Sequence, residues 1–267
     1  MKKTGKYILL VLLALLVVAP LIIALLVSFI PNDQFLAGVY LPKSLNFANY
    51  VDAFQKAHIM SFTVNTLIIS FIMVASQLLL ASMAAYAFVF VEFRGRQLLF
   101  GLFLATMMIP FESTFISNFQ TIKSIGLMDS YVGMALPFVA SAFAIFFLRQ
   151  TFRQIPHELY EASQISGLTH FKFYARVVMP MAKKSLVTLG IYLFLSAWNM
   201  YLWPLIISTN NSVRTVQIGL RQLQSQETLA QWGTIMAAAI LIIIPTLVLL
   251  YLTQNRLQEG LAEGAVK

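Results

Sequence analysis

Few residues in this 267-residue chain have the type and spacing to do chemistry. His58, His157 and His170 are scattered without metal-ligand spacing and read as solvent-facing loop residues. The absence of cysteine excludes thiol catalysis, disulfides and Cys-ligated metal. The sequence has no G-x-x-x-x-G-K-[ST] loop for nucleotide phosphates. It also lacks the Asp-Asp, Ser-His or His-Glu-x-x-His pairing that an intramembrane enzyme would need. What remains is a set of polar and aromatic side chains inside long apolar runs, where each is costly unless it faces protein or water. Glu112, just after Pro110, reads either as an acid lining the mouth of a pathway or as a carboxylate reaching interfacial water. Asn65 and Gln77, about three helical turns apart, either face a pathway together or hold helices to one another. Trp198, Asn199, Tyr201, Trp203 and Pro204 form a cluster suited to stacking on sugar faces, with Asn199 supplying hydrogen bonds. The competing reading of that cluster is an aromatic belt at the membrane interface.

The elements that must position these residues are membrane spans. The chain is 59% hydrophobic and 10% charged, with a mean hydropathy of +0.80, whereas about a quarter of a soluble domain's residues are charged. A helical crossing needs about 20 apolar residues. Runs of that order cover Tyr7 to Ile30, Phe62 to Val91, Ser130 to Leu148, Ser185 to Val213 and Thr228 to Asn255. A weaker run, Leu98 to Phe111, needs Glu112 or the residues beyond it to reach the far interface. The expectation is an all-α polytopic membrane protein with six transmembrane helices. The first run exceeds the roughly 7–15 apolar residues of a signal peptide and reads as a retained helix. Residues 1–61 then form an N-terminal helix with its outer loop, and 62–267 a five-helix core. Pro20, Pro137, Pro204 and Pro245 are expected to kink their helices.

The charges orient these spans, because short cytoplasmic loops carry the excess of Lys and Arg. Lys2, Lys3 and Lys6 place the N-terminus inside, and six crossings bring the C-terminus back to the same side. That side then holds these three with Arg94, Arg96, Arg149, Arg153, Lys172, Arg176, Lys183, Lys184, Arg256 and Lys267. The outer side keeps Lys43, Lys56, Lys123, Arg214 and Arg221, and the ten acids divide equally. The formal net charge of +8 therefore falls on the cytoplasmic side, which accounts for the basic pI without nucleic-acid binding.

The longest polar insertion, 151–185, lies on that basic side. Pro156 suits a helix start, and Leu159, Ile165 and Leu168 recur at helical spacing. Gly167 breaks the pattern and Thr169 can cap a second piece. Two short helices on the cytoplasmic face make a knob suited to docking a partner.

Within that knob, Glu161-Ala162-Ser163, Gly167 and Val177-x-Met179-Pro180 resemble the E-A-A-x-x-x-G-x(9)-I-x-L-P loop of binding-protein-dependent ABC permeases. Ser163, Val177 and Met179 are mild departures from that pattern. The FRGR turn (93–96), residues 127–152, WNMYLWPLII (198–207) and the tail EGLAEGAVK (259–267) are similar to the carbohydrate-uptake branch, which takes up maltose, oligosaccharides or glycerol-3-phosphate. The resemblance implies the MetI-like type I importer fold and a second, homologous permease. It further implies two ATPase subunits that carry the ATP and Mg, and an extracytoplasmic solute-binding protein. No cofactor is expected in this chain, nor catalysis. Glu161, Ala162, Ser163, Gly167 and Pro180 would then couple to the ATPase, with Asn65, Gln77, Glu112, Trp198, Asn199 and Trp203 as candidate pathway residues. The spans hold no Arg or Lys well inside the membrane, which points toward a neutral sugar and away from a glycerol phosphate. A self-contained secondary carrier would be expected to have more spans and ionisable coupling residues inside them.

Overall fold

The computed structural model describes residues 3–56, 58–225 and 231–265, and among these every regular element is helical. Lys2, Lys267 and Thr228 lie outside the described residues, as do the side chains of Lys3, Lys56, Arg256, Glu259 and Glu263. In chain order the helices are α1 (Lys3–Val27), α2 (Asn32–Leu36), α3 (Ala48–Lys56), α4 (Ile59–Phe90) and α5 (Arg96–Thr106). They continue as α6 (Phe111–Ser124), α7 (Tyr131–Ala135) with a 3₁₀ turn (Leu136–Phe138), α8 (Ala142–Phe152) and α9 (His157–Ile165). Next come α10 (His170–Phe173), a π-helical turn (Tyr174–Val178), α11 (Met179–Met181) and α12 (Lys183–Trp198). The chain ends through α13 (Leu202–Ile207), α14 (Val216–Ser225) and α15 (Trp232–Ala265).

Three stretches are long and apolar enough to cross a bilayer unbroken: Gly5–Val27, Ile59–Phe90 and Trp232–Gln254. Three bent pairs of shorter helices bring the number to six when each pair counts as one span. The weak third run is such a pair, with α5 and α6 meeting at 92°. Alone, the 11-residue α5 reaches about 16 Å, roughly half the hydrocarbon thickness. Pro110 causes the break: it has no N–H to continue α5, it disfavours helical backbone at Ile109, and it opens α6 in an extended conformation. The fourth run bends by 54° between Pro137 in its 3₁₀ turn and Ser141, whose hydroxyl caps α8 by accepting from the Ala144 N–H at 3.2 Å.

The fifth run corrects the expectation of one helix over Ser185 to Val213. Helix α12 ends at Trp198, residues 199–201 are non-helical, and α13 is a separate six-residue helix. Pro204 therefore kinks no span; it lies in the first turn of α13, where a missing N–H costs nothing. Pro20 and Pro245 do lie inside continuous helices.

By compactness the chain divides into one unit of Met1–Val64 with Arg214–Val248 and another of Asn65–Val213 with Leu249–Lys267. In the first unit, Asn49 donates to the carbonyls of Ser28 and Ile30, both at 2.9 Å, tying α3 to the end of α1. The Ser28 and Tyr50 hydroxyls share a 2.7 Å bond beside the packed rings of Phe29 and Phe47. Gly233 must be glycine here, because a Cβ would stand 2.6 Å from the Ile30 carbonyl oxygen. The upper part of α1 is exposed on every side, as befits a helix that is apolar all round and meant for lipid or another chain.

The second unit holds two buried clusters strung along α4. One gathers Ile69 and Met73 with Ile122, Met134, Trp203 and Ile207. The other gathers Ala81, Ala85, Tyr86 and Phe90 with Leu148, Phe152, Phe173 and Leu189. From Ile69 to Tyr86 is about 25 Å along the helix.

Candidate functional site

The loop between α8 and α12 is built from short-range instructions. Pro156, with φ −55° and ψ 131°, precedes α9. At the other end, the Gly167 N–H donates to Gln164 and the Leu168 N–H to Ser163, each at 3.0 Å, while Gly167 sits at φ +69°. This paired closure at a left-handed glycine satisfies carbonyls that the helix end leaves free. Thr169 then caps α10, its hydroxyl accepting from the Lys172 N–H at 3.4 Å.

Of the five coupling candidates, Glu161, Ala162 and Gly167 are exposed on this knob, and Pro180 is exposed in α11. Ser163 instead turns inward at 5% exposure, its hydroxyl donating to the Tyr160 carbonyl at 2.6 Å. The Glu161 carboxylate stands 3.2 Å from His157 Nδ1, with both side chains 66% exposed, so the pair adds little stability. The apolar positions that signalled the helix are not its buried face. Leu159 is exposed and Ile165 is 89% exposed, with Phe171 exposed on the next helix.

What holds the knob is an aromatic socket at the end of α4, which the sequence reading missed. The Phe90 ring meets Tyr160 at 5.6 Å and Phe173 at 5.3 Å, edge-on to the latter. Tyr86 packs edge-on against Tyr174 at 5.4 Å, and its hydroxyl lies 3.1 Å from both Nδ1 and the carbonyl oxygen of His170. Ser82 adds a 2.7 Å bond to the Tyr174 hydroxyl. Ser82, Tyr86 and Phe90 are four residues apart, so they form one stripe of α4. That spacing was the available signal. His170, expected as a solvent-facing loop residue, is indeed exposed, but it opens α10 and also contacts the Tyr86 and Tyr160 rings.

Three of the six pathway candidates meet elsewhere. Glu112, Asn199 and Trp203 line one pocket of about 340 Å³, walled by Phe111, Phe115, Phe138 and Tyr201. Glu112 is exposed in the first turn of α6, where the positive end of the helix favours an acid. Asn199, exposed after the last turn of α12, donates its amide to the Leu195 carbonyl at 2.8 Å. Trp203 backs the pocket at 1% exposure, its N–H donating to the Met134 carbonyl at 3.1 Å. The rings of Phe111, Phe115 and Phe138 surround it at 5.7, 5.9 and 6.1 Å. Trp198 is likewise 1% exposed and stacks on Phe194, so neither tryptophan is a surface belt residue of this chain.

Asn65 and Gln77 lie outside that pocket. The Asn65 amide donates to the Ser212 carbonyl at 3.0 Å and accepts from the Tyr131 hydroxyl at 2.7 Å. Gln77 donates to the Phe138 carbonyl at 2.5 Å, where the break after the 3₁₀ turn leaves that oxygen free. Both amides are buried and committed to holding α4 against its neighbours.

The comparisons with known proteins bear on the family and the fold. Residues 77–262 match the family described as the binding-protein-dependent transport system inner membrane component. The chain is 35% identical over 201 residues to the sn-glycerol-3-phosphate transport system permease protein UgpE of Yersinia enterocolitica, covering 75% of this chain and 72% of that one. It is 33% identical over 200 residues to the protein of the same name from Brucella abortus, covering 74% and 71%. In fold it is similar to a chain of a bacterial ABC transporter involved in the import of the acidic polysaccharide alginate. The TM-score there is 0.85 and the identity 22%, over 94% of this chain and 95% of that one. A second structure, the alginate transporter in complex with a periplasmic protein bound to alginate pentasaccharide, aligns at a TM-score of 0.58 and 16% identity, over 93% and 91%. The chain belongs to the family of inner membrane components of binding-protein-dependent transport systems and is a multi-pass permease of an ABC importer.

Proposed function

We propose that this permease takes up a sugar or oligosaccharide, driven by ATP hydrolysed on separate subunits that dock on the Glu161 to Gly167 knob. The observation that carries the coupling half is the pairing of an exposed surface with a rigid base. Glu161, Ala162, Ile165 and Gly167 are open, while Tyr160 and Phe173 pack the same loop onto Phe90 of α4. ATP and Mg belong to two ATPase subunits, and a second permease and an extracytoplasmic binding protein complete the importer. Both termini and the knob face the cytoplasm, in keeping with the excess of Lys and Arg on that side.

For the substrate, the pocket at Glu112 and Asn199 combines aromatic walls, an amide and a carboxylate, and among the described residues no Lys or Arg lines it. That chemistry suits hydroxyl-rich rings better than a phosphate. The second reading, a glycerol-3-phosphate permease, is supported by the likeness to UgpE. Affinity measurements on the companion solute-binding protein separate them: micromolar binding of a neutral oligosaccharide supports the first, and binding of sn-glycerol-3-phosphate alone overturns it.

Gly167 offers a clean test of docking. A Cβ there meets nothing within 4 Å in this chain, so only its backbone conformation resists substitution. Asn tolerates that conformation. Gly167→Asn and Glu161→Lys should leave the permease folded while abolishing its co-purification with the ATPase; intact co-purification and uptake in both would end the docking claim.

A further inference from the structure

We propose that Arg96, Arg149 and Arg153 form a binding site for a phosphate-bearing anion, with an anionic phospholipid headgroup as its favoured source. The three arginines, from the start of α5 and the end of α8, line one pocket of about 730 Å³ at the root of the knob. Among the described residues Glu158 is the one acid on its wall, so the pocket keeps a positive excess. Among the described residues no ion pair neutralises any of the three.

Arg96 and Arg149 are nonetheless held in place, while Arg153 is exposed at the rim. Arg96 donates to the Val91 carbonyl at 3.3 Å, closing the free end of α4. The Arg149 guanidinium lies 4.0 Å from the centre of the Phe100 ring, and its Nε is buried without a hydrogen-bond partner. Like charges gathered at a partly desolvated site repel unless an anion joins them. Guanidinium forks match phosphate oxygens two at a time, which makes phosphate the fitting counter-charge.

A lipid is favoured over a soluble phosphate by the remaining walls. Phe88, Val89 and Phe90 close the pocket at the end of an apolar span, so a headgroup can enter while its acyl chains stay beside α4. Basic pockets at such span ends are a recurrent lipid-binding arrangement. His157 and Glu158, which open α9, also line the pocket, so its occupant touches the helix that carries Glu161. The site stands on these residues alone; only the leaflet assigned to it rests on the topology proposed above.

Native mass spectrometry of the full chain, purified with its partner subunits and supplied with phosphatidylglycerol or phosphatidylcholine, tests the site. Retention of phosphatidylglycerol should exceed that of phosphatidylcholine at least about tenfold. The preference should vanish in R149Q/R153Q and survive in R94Q/K183Q, which removes the same charge outside the pocket. Where the double variant does not assemble, R153Q alone, at an exposed position, gives the same reading at smaller amplitude. Binding of inorganic phosphate that R149Q/R153Q abolishes, without a lipid preference, supports the site and moves its source to solution. Unchanged phosphatidylglycerol retention in R149Q/R153Q overturns the proposal. So does release of the ATPase from that variant with lipid retention intact, because the pocket would then be a protein contact.

Discussion

Two aromatic clusters lie along α4, and they solve different problems. Around Trp203 the partners are phenylalanines, the tryptophan N–H makes one hydrogen bond, and the polar groups Glu112 and Asn199 are pushed to an open rim. Around Phe173 the partners are tyrosines and a histidine, and Ser82, Tyr86, His170 and Tyr174 bond to one another across the packed rings. The first arrangement fixes a wall and leaves Glu112 and Asn199 exposed at its rim. The second spends its polar groups internally, so a loop with little apolar surface of its own is held in one position.

That contrast can be broken from either side. The largest effect is expected for Trp203→Ala, which removes a fully buried ring and should cost about 3–5 kcal/mol in thermal unfolding of the purified permease. A loss below about 1 kcal/mol would mean that the cluster is not the wall described. Phe173→Ala removes as buried a side chain, but its cost should be concentrated in the knob. Hydrogen exchange is expected to accelerate over residues 157–173 and to remain unchanged around Met134; uniform acceleration would erase the distinction between the clusters. The smallest effect, about 1 kcal/mol, is expected for Tyr86→Phe, which keeps the ring and removes the bond to His170. Exchange at residues 169–174 reads it, and a wild-type profile there would leave ring packing as the whole of the socket.

The loop was legible in sequence because its determinants are local: Pro156, Gly167 and Thr169 each act within a turn of themselves. The socket was not, since Ser82, Tyr86 and Phe90 read as ordinary apolar-span residues until Tyr160, Phe173 and Tyr174 are brought to them across the fold. The apolar pattern gave the number of spans but not their continuity. Trp198 to Trp203 carries one amide, Asn199, between aromatic and aliphatic residues, a pattern that a continuous span also tolerates, so the end of α12 shows only in the backbone at residues 199–201. Pro110 was visible as a break, but its sequence context does not show that the 92° turn there sets Phe111 and Phe115 against Trp203. The pocket joining Glu112 to Asn199 depends on both of those breaks, so composition alone does not reveal it.

The π-helical turn at Tyr174–Val178 bears on how a push on the knob would travel. The covalent route from Gly167 to α12 runs through that π-helical turn and then a 76° corner at Ala182, two interruptions of regular α-helix. The non-covalent route, through Tyr160 and Phe173 onto Phe90, ends on a continuous 32-residue helix. Load follows the stiffer path, so displacement of the knob should lever α4 before it stretches the chain that the knob belongs to.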